Sequence, residues 1–546
     1  MLKLLTRLSV AMGAALLYAC GGSSSPTATI ATSTAHGTLA VSPPFRIASL
    51  TAAAFQAELA GTASGAQLLQ ITGAPNCGVD FYYVKFWTVG GAAEATESSG
   101  ALMVPTGAAP ACSGPRPVVL YAHGTNTDKA LNIADVTNAS NTEGVLIAAM
   151  FAAQGYIVVA PNYAGYDIST LGYHPFLNAE QQSGEMIDIL TAARAALPKT
   201  LSSATSDSGK LFITGYSEGG HVAMATQRAL QASGATVTGA APMSGPYALE
   251  AFGDAIFFGN VDLGATVFSP LLSTSYQKAY GNIYSTPGDL YSATYATGIE
   301  TLLPSVTPID TIFSTGLLPE TAVFDSTTPV VSIPGQALFS GELTALLSVP
   351  GSPAYPIPLT PQQVALFSVG FGSPYLINNS YRVLYGEDAL SNPDGALPLP
   401  TIKPGVPLAA VAPTQPLRLA FYKNDLRNGI TGSGTWAPSS PTLLCGGDAD
   451  PTVFFSVNTE TMAAFWSPLV TAGLITVLDV NGTPGGPFET VQAGFQESQA
   501  ALLAYYQTPA GGGLSLAAAE QLIVEGYHTS VAPFCAAAAR AFFSVL

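Results

Sequence analysis

Gly215-Tyr216-Ser217-Glu218-Gly219-Gly220 holds the residue with the clearest chemical potential in this chain. A serine with glycine two positions away on each side can ride on a very tight strand-to-helix turn. Larger side chains at those flanking positions would collide. Such a turn lifts the hydroxyl above the strand ends and sets it at a helix N-terminus, where the dipole favours developing negative charge. The chemistry it suits is nucleophilic attack on a carbonyl. In a chain with 55 glycines the spacing also arises by chance. Its place between a predicted strand at 211–214 and a predicted helix at 218–230 sets this instance apart. The hydroxyl needs a base, and the chain offers His36, His123, His174, His221 and His528. His221 falls one turn along the helix that the serine opens, below the hydroxyl face, and a structural role is expected for it.

Several elements must position these groups. Residues 79–87 and 97–104 alternate or run apolar with aromatic and β-branched side chains, like antiparallel edge strands. Short buried strands are predicted at 117–121, 156–160, 211–214 and 237–242, with helices at 142–153, 186–197 and 218–230 between them. Strand and helix alternating in this way predict an α/β fold with a mostly parallel sheet and helices on both faces. After Tyr247 the pattern dissolves into short apolar clusters separated by Pro, Gly, Ser and Thr, and resumes near Leu443. The expected organisation is a core at 46–247, an inserted cap at 248–415, and a second part of the core at 416–546. Helices are also predicted at 488–506 and 516–524.

Charged residues are only 9 % of the chain, and 17 Lys and Arg face 34 Asp and Glu. So acidic a surface, so poor in cations, does not suit a nucleic-acid partner. Lys3 and Arg7 precede a short apolar stretch at 8–19, which reads as an export signal at 1–19 rather than a membrane span. Leu17-Tyr18-Ala19-Cys20 resembles a bacterial lipobox, which implies lipidation of Cys20 and attachment to a membrane. The alternative is a plain secretory signal cut near Ala19. No Asp follows Cys20, and by resemblance to Gram-negative lipoproteins the anchor is expected in the outer membrane. Residues 20–45 read as a flexible tether. Cys77, Cys112, Cys445 and Cys535 remain, an even number in an exported chain, which predicts two disulfides in one of three pairings. Their spacing does not suit a metal site.

With the serine turn, a His-Gly turn and acid and histidine motifs in serial order, the chain resembles the α/β-hydrolase superfamily. Within it, the chain looks most like the secretory lipases and exported bacterial esterases. The likeness covers residues 78–247 and 441–546 and leaves out the cap. In that superfamily the order is serine, acid, histidine, which implies His528, in Glu525-Gly526-Tyr527-His528-Thr529-Ser530, as the base. This stretch resembles the family's histidine loop before the last helix. Cys445-Gly446-Gly447-Asp448-Ala449-Asp450-Pro451 resembles the acid loop; the Gly-x-x-Asp spacing from Gly447 implies Asp450, with Asp448 as the alternative. The oxyanion hole is implied at the backbone N–H groups of Glu218 and of Thr125, the residue after His123-Gly124, with His123 orienting that turn. Asn162 stands where the family often has Asp. Residues 481–527 form a longer link to the histidine than the family usually carries. Given these roles, the favoured disulfides are Cys77–Cys112 and Cys445–Cys535, the second clamping the acid loop to the histidine loop.

The resemblance implies a serine carboxylic ester hydrolase working through a covalent acyl-enzyme on a hydrophobic ester, small or polymeric, with no metal and no organic cofactor. Two alternatives remain: a serine peptidase or acyltransferase on the same fold, and a non-catalytic surface binding protein. Asn424, Asp425 and Trp436 are expected near the cleft between cap and core, with packing an equal explanation.

Overall fold

The computed structural model describes residues 29–30, 35–138, 140–200, 205–395, 410, 412–430 and 432–546. The expected signal at 1–19, Cys20 and residues 21–28 and 31–34 of the expected tether lie outside the described residues. Nine strands form the main sheet: β1 (Phe45–Leu50), β2 (Gly78–Val89), β3 (Ala95–Thr106), β4 (Pro115–Ala122), β5 (Ile157–Pro161), β6 (Ser206–Tyr216), β7 (Gly239–Met243), β8 (Thr442–Gly446) and β9 (Ile475–Asp479). Their spatial order is β9-β8-β7-β6-β4-β5-β3-β2-β1. The six from β9 to β5 run parallel, while β3, β2 and β1 pair antiparallel.

The parallel strands inside the sheet are covered on both faces, which is why their sequences read as apolar runs. Val119 and Tyr121 of β4 point into one core with α1 (Thr142–Met150) and the two C-terminal helices. Val118 and Leu120 point into the other, with α2 (Ala179–Thr200) and α3 (Glu218–Ala232). One-residue alternation in a strand thus divides the apolar side chains between two helical layers.

The expected edge pair is β2 with β3, but β1 adds outside β2 and is the true edge. Residues 37–42, expected as tether, are also docked: Gly37 N and Ala40 N donate to the carbonyls of Trp87 and Lys85 at 2.8 Å.

Between β7 and β8 lies the insertion, with α4 (Leu249–Phe257), α5 (Ala265–Tyr280), α6 (Asn379–Ser391) and α7 (Pro416–Asn424). It has its own apolar core, to which Phe252, Leu343, Tyr385 and Phe421 contribute. Residues 416–424, expected to begin the returning core, instead pack Leu417, Ala420 and Phe421 into this cap cluster. Arg418 of α7 is fully buried and makes a bidentate pair with Asp254 of α4, both bonds at 2.8 Å. Asp388 of α6 receives a third bond at 3.2 Å. Removing one partner of such a buried pair leaves an uncompensated charge, so these contacts fix the helices of the cap to one another.

The chain returns through β8 and β9 to α8 (Glu489–Gln507) and α9 (Leu516–Phe543). Ser515 caps α9, accepting from Ala518 N. Both expected disulfides are present: Cys77–Cys112 and Cys445–Cys535. No helix among the described residues is long and apolar enough to cross a membrane.

Candidate active site

Three loops meet at the C-terminal edge of the parallel strands, where α/β sheets generally place their ligands. Ser217 sits between β6 and α3 with φ +60° and ψ −122°, a conformation seldom adopted by a residue with a side chain. Its N–H donates to the Met243 carbonyl at 3.0 Å, which pins the turn to the neighbouring strand. A Cβ on Gly219 would land against the Ala122 carbonyl, and one on Gly215 against the Gly219 carbonyl. The flanking glycines are therefore demanded by backbone packed on backbone.

His528 brings Nε2 to 2.8 Å from Ser217 Oγ, and its Nδ1 lies 2.6 Å from Asp450 Oδ2. Ser217 and His528 are 8 % exposed and Asp450 4 %. The other carboxylate oxygen of Asp450 accepts from the N–H groups of Thr452 and Val453 at 2.9 and 3.0 Å. Asp450 is thus held by its own loop while facing the imidazole. Asp448, the alternative, is exposed; its N–H donates to Asp479 Oδ1 and its Oδ1 accepts from Asn481 Nδ2. It shapes the turn and does not face His528.

The element carrying His528 differs from expectation. It is an interior rung of α9, which runs unbroken through Gly526 and Pro533. The long link at 481–527 is α8 and the first half of α9. Tyr216, immediately before the serine, packs its ring 5.0 Å from the imidazole and donates its hydroxyl to the His528 carbonyl. Cys535 ties the same helix to Cys445 at the end of β8.

His221 is fully buried, with Nε2 donating to the Asn424 carbonyl at 3.0 Å. Burial pushes its imidazole down to about 4. It is neutral at ordinary pH and turned away from Ser217 toward α7.

The His-Gly turn leaves β4 beside the serine: the position a Cβ would take on Gly124 is 3.6 Å from Ser217 Cβ. Each ring nitrogen of His123 faces a carbonyl, Gly124 O at 2.7 Å and Asn162 O at 3.1 Å. Thr125 and Glu218 both line the cavity into which Ser217 opens. Asn162 is structural, accepting from Ile133 N and donating to Ser99.

Three residues around the site, Glu143 half-buried and the other two buried, carried no signal in the sequence analysis. Glu143, in the first turn of α1, accepts from Gly124 N at 3.0 Å and from the Tyr121 hydroxyl at 2.7 Å, so it holds the His-Gly turn. Burial raises its carboxyl, against the opposing effects of His123 and of its bonds from Tyr121 and Gly124. His174 brings Nε2 to 2.6 Å from the Glu218 side chain, which also accepts from Gln182 at 2.7 Å. Burial opposes charge on Glu218, but His174, followed by His123 and Gln182, outweighs it and holds this carboxyl below its usual range. The third is Asp262, on the cavity wall. A lone Glu, His or Asp in a loop or a helix start is too common to mark from spacing.

The cavity comprises about 840 Å³ including its mouth. Ser217, Glu218 and Thr125 form its floor, and Phe176, Leu249, Phe252, Ile256, Phe268 and Phe421 much of its wall. Asn424, Asp425 and Trp436 do not line it. Asn424 bonds Ala179 N and Tyr280, Asp425 pairs with Arg427, and the Trp436 carbonyl accepts from Trp466.

The sequence matches the prolyl oligopeptidase family over residues 145–244. No curated protein sequence matches the chain. Among solved structures, the rice cell wall degrading esterase LipA from Xanthomonas oryzae aligns with a TM-score of 0.59 at 24 % identity, covering 87 % of this chain and 98 % of LipA. A ligand-bound form of the same esterase aligns at 0.58 and 24 %, covering 82 % and 91 %. A candidate hydrolase of Legionella pneumophila aligns at 0.53 and 17 %, covering 80 % and 90 %. Sheet order, the strand-to-helix turn at Ser217 and these similarities agree: the chain has the α/β-hydrolase fold.

Proposed function

We propose that the protein is a serine hydrolase that cleaves carboxylic esters through a covalent acyl-enzyme. The observation that carries this reading is the continuous contact from Ser217 Oγ through His528 to Asp450, at 2.8 and 2.6 Å, at the floor of an apolar cavity. In the first step Ser217 Oγ attacks the ester carbonyl while His528 Nε2 takes its proton. The negative charge that develops on the carbonyl oxygen is met by the backbone N–H groups of Glu218 and Thr125. Asp450 keeps the imidazole proton on Nδ1 and stabilises the imidazolium. Collapse expels the alcohol, which leaves with the proton from His528. Water then enters, gives its proton to the same nitrogen and releases the acid, restoring Ser217. These steps draw on no metal and no organic cofactor.

The apolar wall favours a hydrophobic ester over a charged one, and the esterase among the similar folds supports ester chemistry. The prolyl oligopeptidase match favours a second reading, amide cleavage by the same groups. The test pairs a panel of p-nitrophenyl esters of rising chain length with matched anilides, with and without acceptor alcohols, on wild type and Ser217→Ala. Ester turnover lost in Ser217→Ala supports the proposal; turnover of anilides alone supports the peptidase, and transfer to the alcohols an acyltransferase. Absence of stoichiometric labelling by a fluorophosphonate would point to a binding protein instead.

The two disulfides are compatible with export. We further propose a lipid anchor at Cys20 holding the enzyme at the outer membrane. Incorporation of labelled palmitate, lost in Cys20→Ala, tests the anchor, and release of Cys20→Ala into the soluble fraction tests the attachment.

A further inference from the structure

The cavity above Ser217 is largely apolar; its wall is interrupted by the hydroxyls of Ser269, Ser273 and Thr452 and by one carboxyl, that of Asp262. It lies in the link between α4 and α5, 4 % exposed, on the cavity wall. The next residue, Leu263, donates its N–H to the Pro451 carbonyl at 3.0 Å, which ties this link to the loop of Asp450. Among the described residues Asp262 Oδ1 is buried with no hydrogen-bond partner, and no cation pairs with the side chain. Burial first, and then the negative charge of Asp450, raise its carboxyl well above the usual range, opposed by its own N–H. A buried polar atom without a partner is destabilising, and an apolar wall is a poor place for ordered water to supply the bond. A group arriving with the substrate can supply it. A hydroxyl suits this carboxyl, because it can donate to the oxygen that lacks a partner. A carboxylate arriving there would face Asp450, and an alkyl chain would leave Oδ1 unpaired.

We propose that Asp262 is the polar anchor of the cavity, and that the preferred ester carries a hydroxyl on the part of the molecule that fills it. This rests on the ester-hydrolase reading and names its substrate class. Sites that hydrogen-bond a substrate hydroxyl discriminate against the analogue lacking it, because their own polar group is then stranded.

The test compares kcat/KM, by acid release in a pH-stat, within matched pairs. Ethyl 3-hydroxyhexanoate and ethyl 6-hydroxyhexanoate against ethyl hexanoate place the hydroxyl on the acyl arm. 4-Hydroxybutyl hexanoate against butyl hexanoate places it on the alcohol arm. The wild type is expected to favour the hydroxylated member of one arm by at least about fivefold. Asp262→Asn, which still donates and accepts, is expected to keep the preference, and Asp262→Leu to abolish it. No preference in either arm, or a preference that survives Asp262→Leu, overturns the proposal. Should Asp262→Leu fail to fold, calorimetry on Ser217→Ala decides: tighter binding of a hydroxylated ester than of its plain partner supports the anchor, and equal binding in both arms overturns it. Ethyl hexanoate hydrolysis lost in Ser217→Ala keeps the esterase reading standing whatever the hydroxyl does. Absence of all hydrolysis sinks that reading, while the calorimetric comparison still judges Asp262.

Discussion

Tyr216 donates its phenol hydroxyl to the main-chain carbonyl of His528, so the residue before the serine fastens the helix that carries the imidazole. The two partners of the 2.8 Å contact between Ser217 and His528 are thereby registered through the backbone as well as through their side chains. Tyr216→Phe keeps the ring against the imidazole and removes only the hydroxyl. One buried hydrogen bond is worth about 1 kcal/mol, so kcat/KM is expected to fall about fivefold with the fold intact. Steady-state rates and circular dichroism on the purified variant check this, and an unchanged rate would show the tether to be idle.

Asp450→Asn preserves volume and places an amide beside His528 Nδ1. The imidazole then holds the wrong tautomer for accepting the serine proton. Comparable substitutions elsewhere cost about 10⁴ in kcat, and a loss of that order is expected here. Asp448→Asn, which touches only the neighbouring turn, should retain wild-type turnover.

His221 makes folding pH-dependent. Its imidazole titrates near 4 when folded and near 6.5 when unfolded, so between these values the unfolded chain binds the extra proton. Stability is complete above the unfolded value, falls as pH drops through that window, and the contribution is spent below about 4. Each pH unit separating the two titrations is worth about 1.4 kcal/mol, so the integrated loss is about 3 kcal/mol. Urea unfolding at stepped pH, compared with His221→Gln, should show a flatter profile in the variant between pH 6.5 and 4.

The two disulfides should separate by function. They span 35 and 90 residues, and loop-closure entropy assigns them about 4 and 5 kcal/mol. Replacing Cys445 and Cys535 together by Ala should lower both stability and kcat, because the bridge joins β8, which leads to Asp450, to the helix of His528. Replacing Cys77 and Cys112 should lower stability while sparing kcat in the fraction that stays folded. Thermal melts and active-site titration on both pairs distinguish these outcomes.

The serine turn was legible because backbone crowding there tolerates only glycine at 215 and 219, a constraint written directly into residue type. Asp450 and His528 were expected from the serial order that the resemblance implies and from the Gly-x-x-Asp spacing, and the structure brings both beside Ser217. The helix around His528 was not. A loop was expected at His528, between a helix ending at 524 and the last helix, yet α9 runs through it, buried in the core and fastened by the Cys445–Cys535 bridge and the Tyr216 hydroxyl. Strand β1 escaped because Phe45 and Ile47 face outward, 45 % and 44 % exposed, so its alternation does not announce a buried face. Glu143, His174 and Asp262 gain meaning only from what the fold sets beside them.

A base carried on a loop can swing aside and idle; one fixed within a long helix, with a covalent staple seven residues further on, has no such freedom. Turning this protein on or off by displacing the imidazole would require shifting a whole segment of its interior. What remains adjustable is the approach to Ser217, which is lined by side chains of the inserted helices, among them Phe252, Ile256 and Phe268.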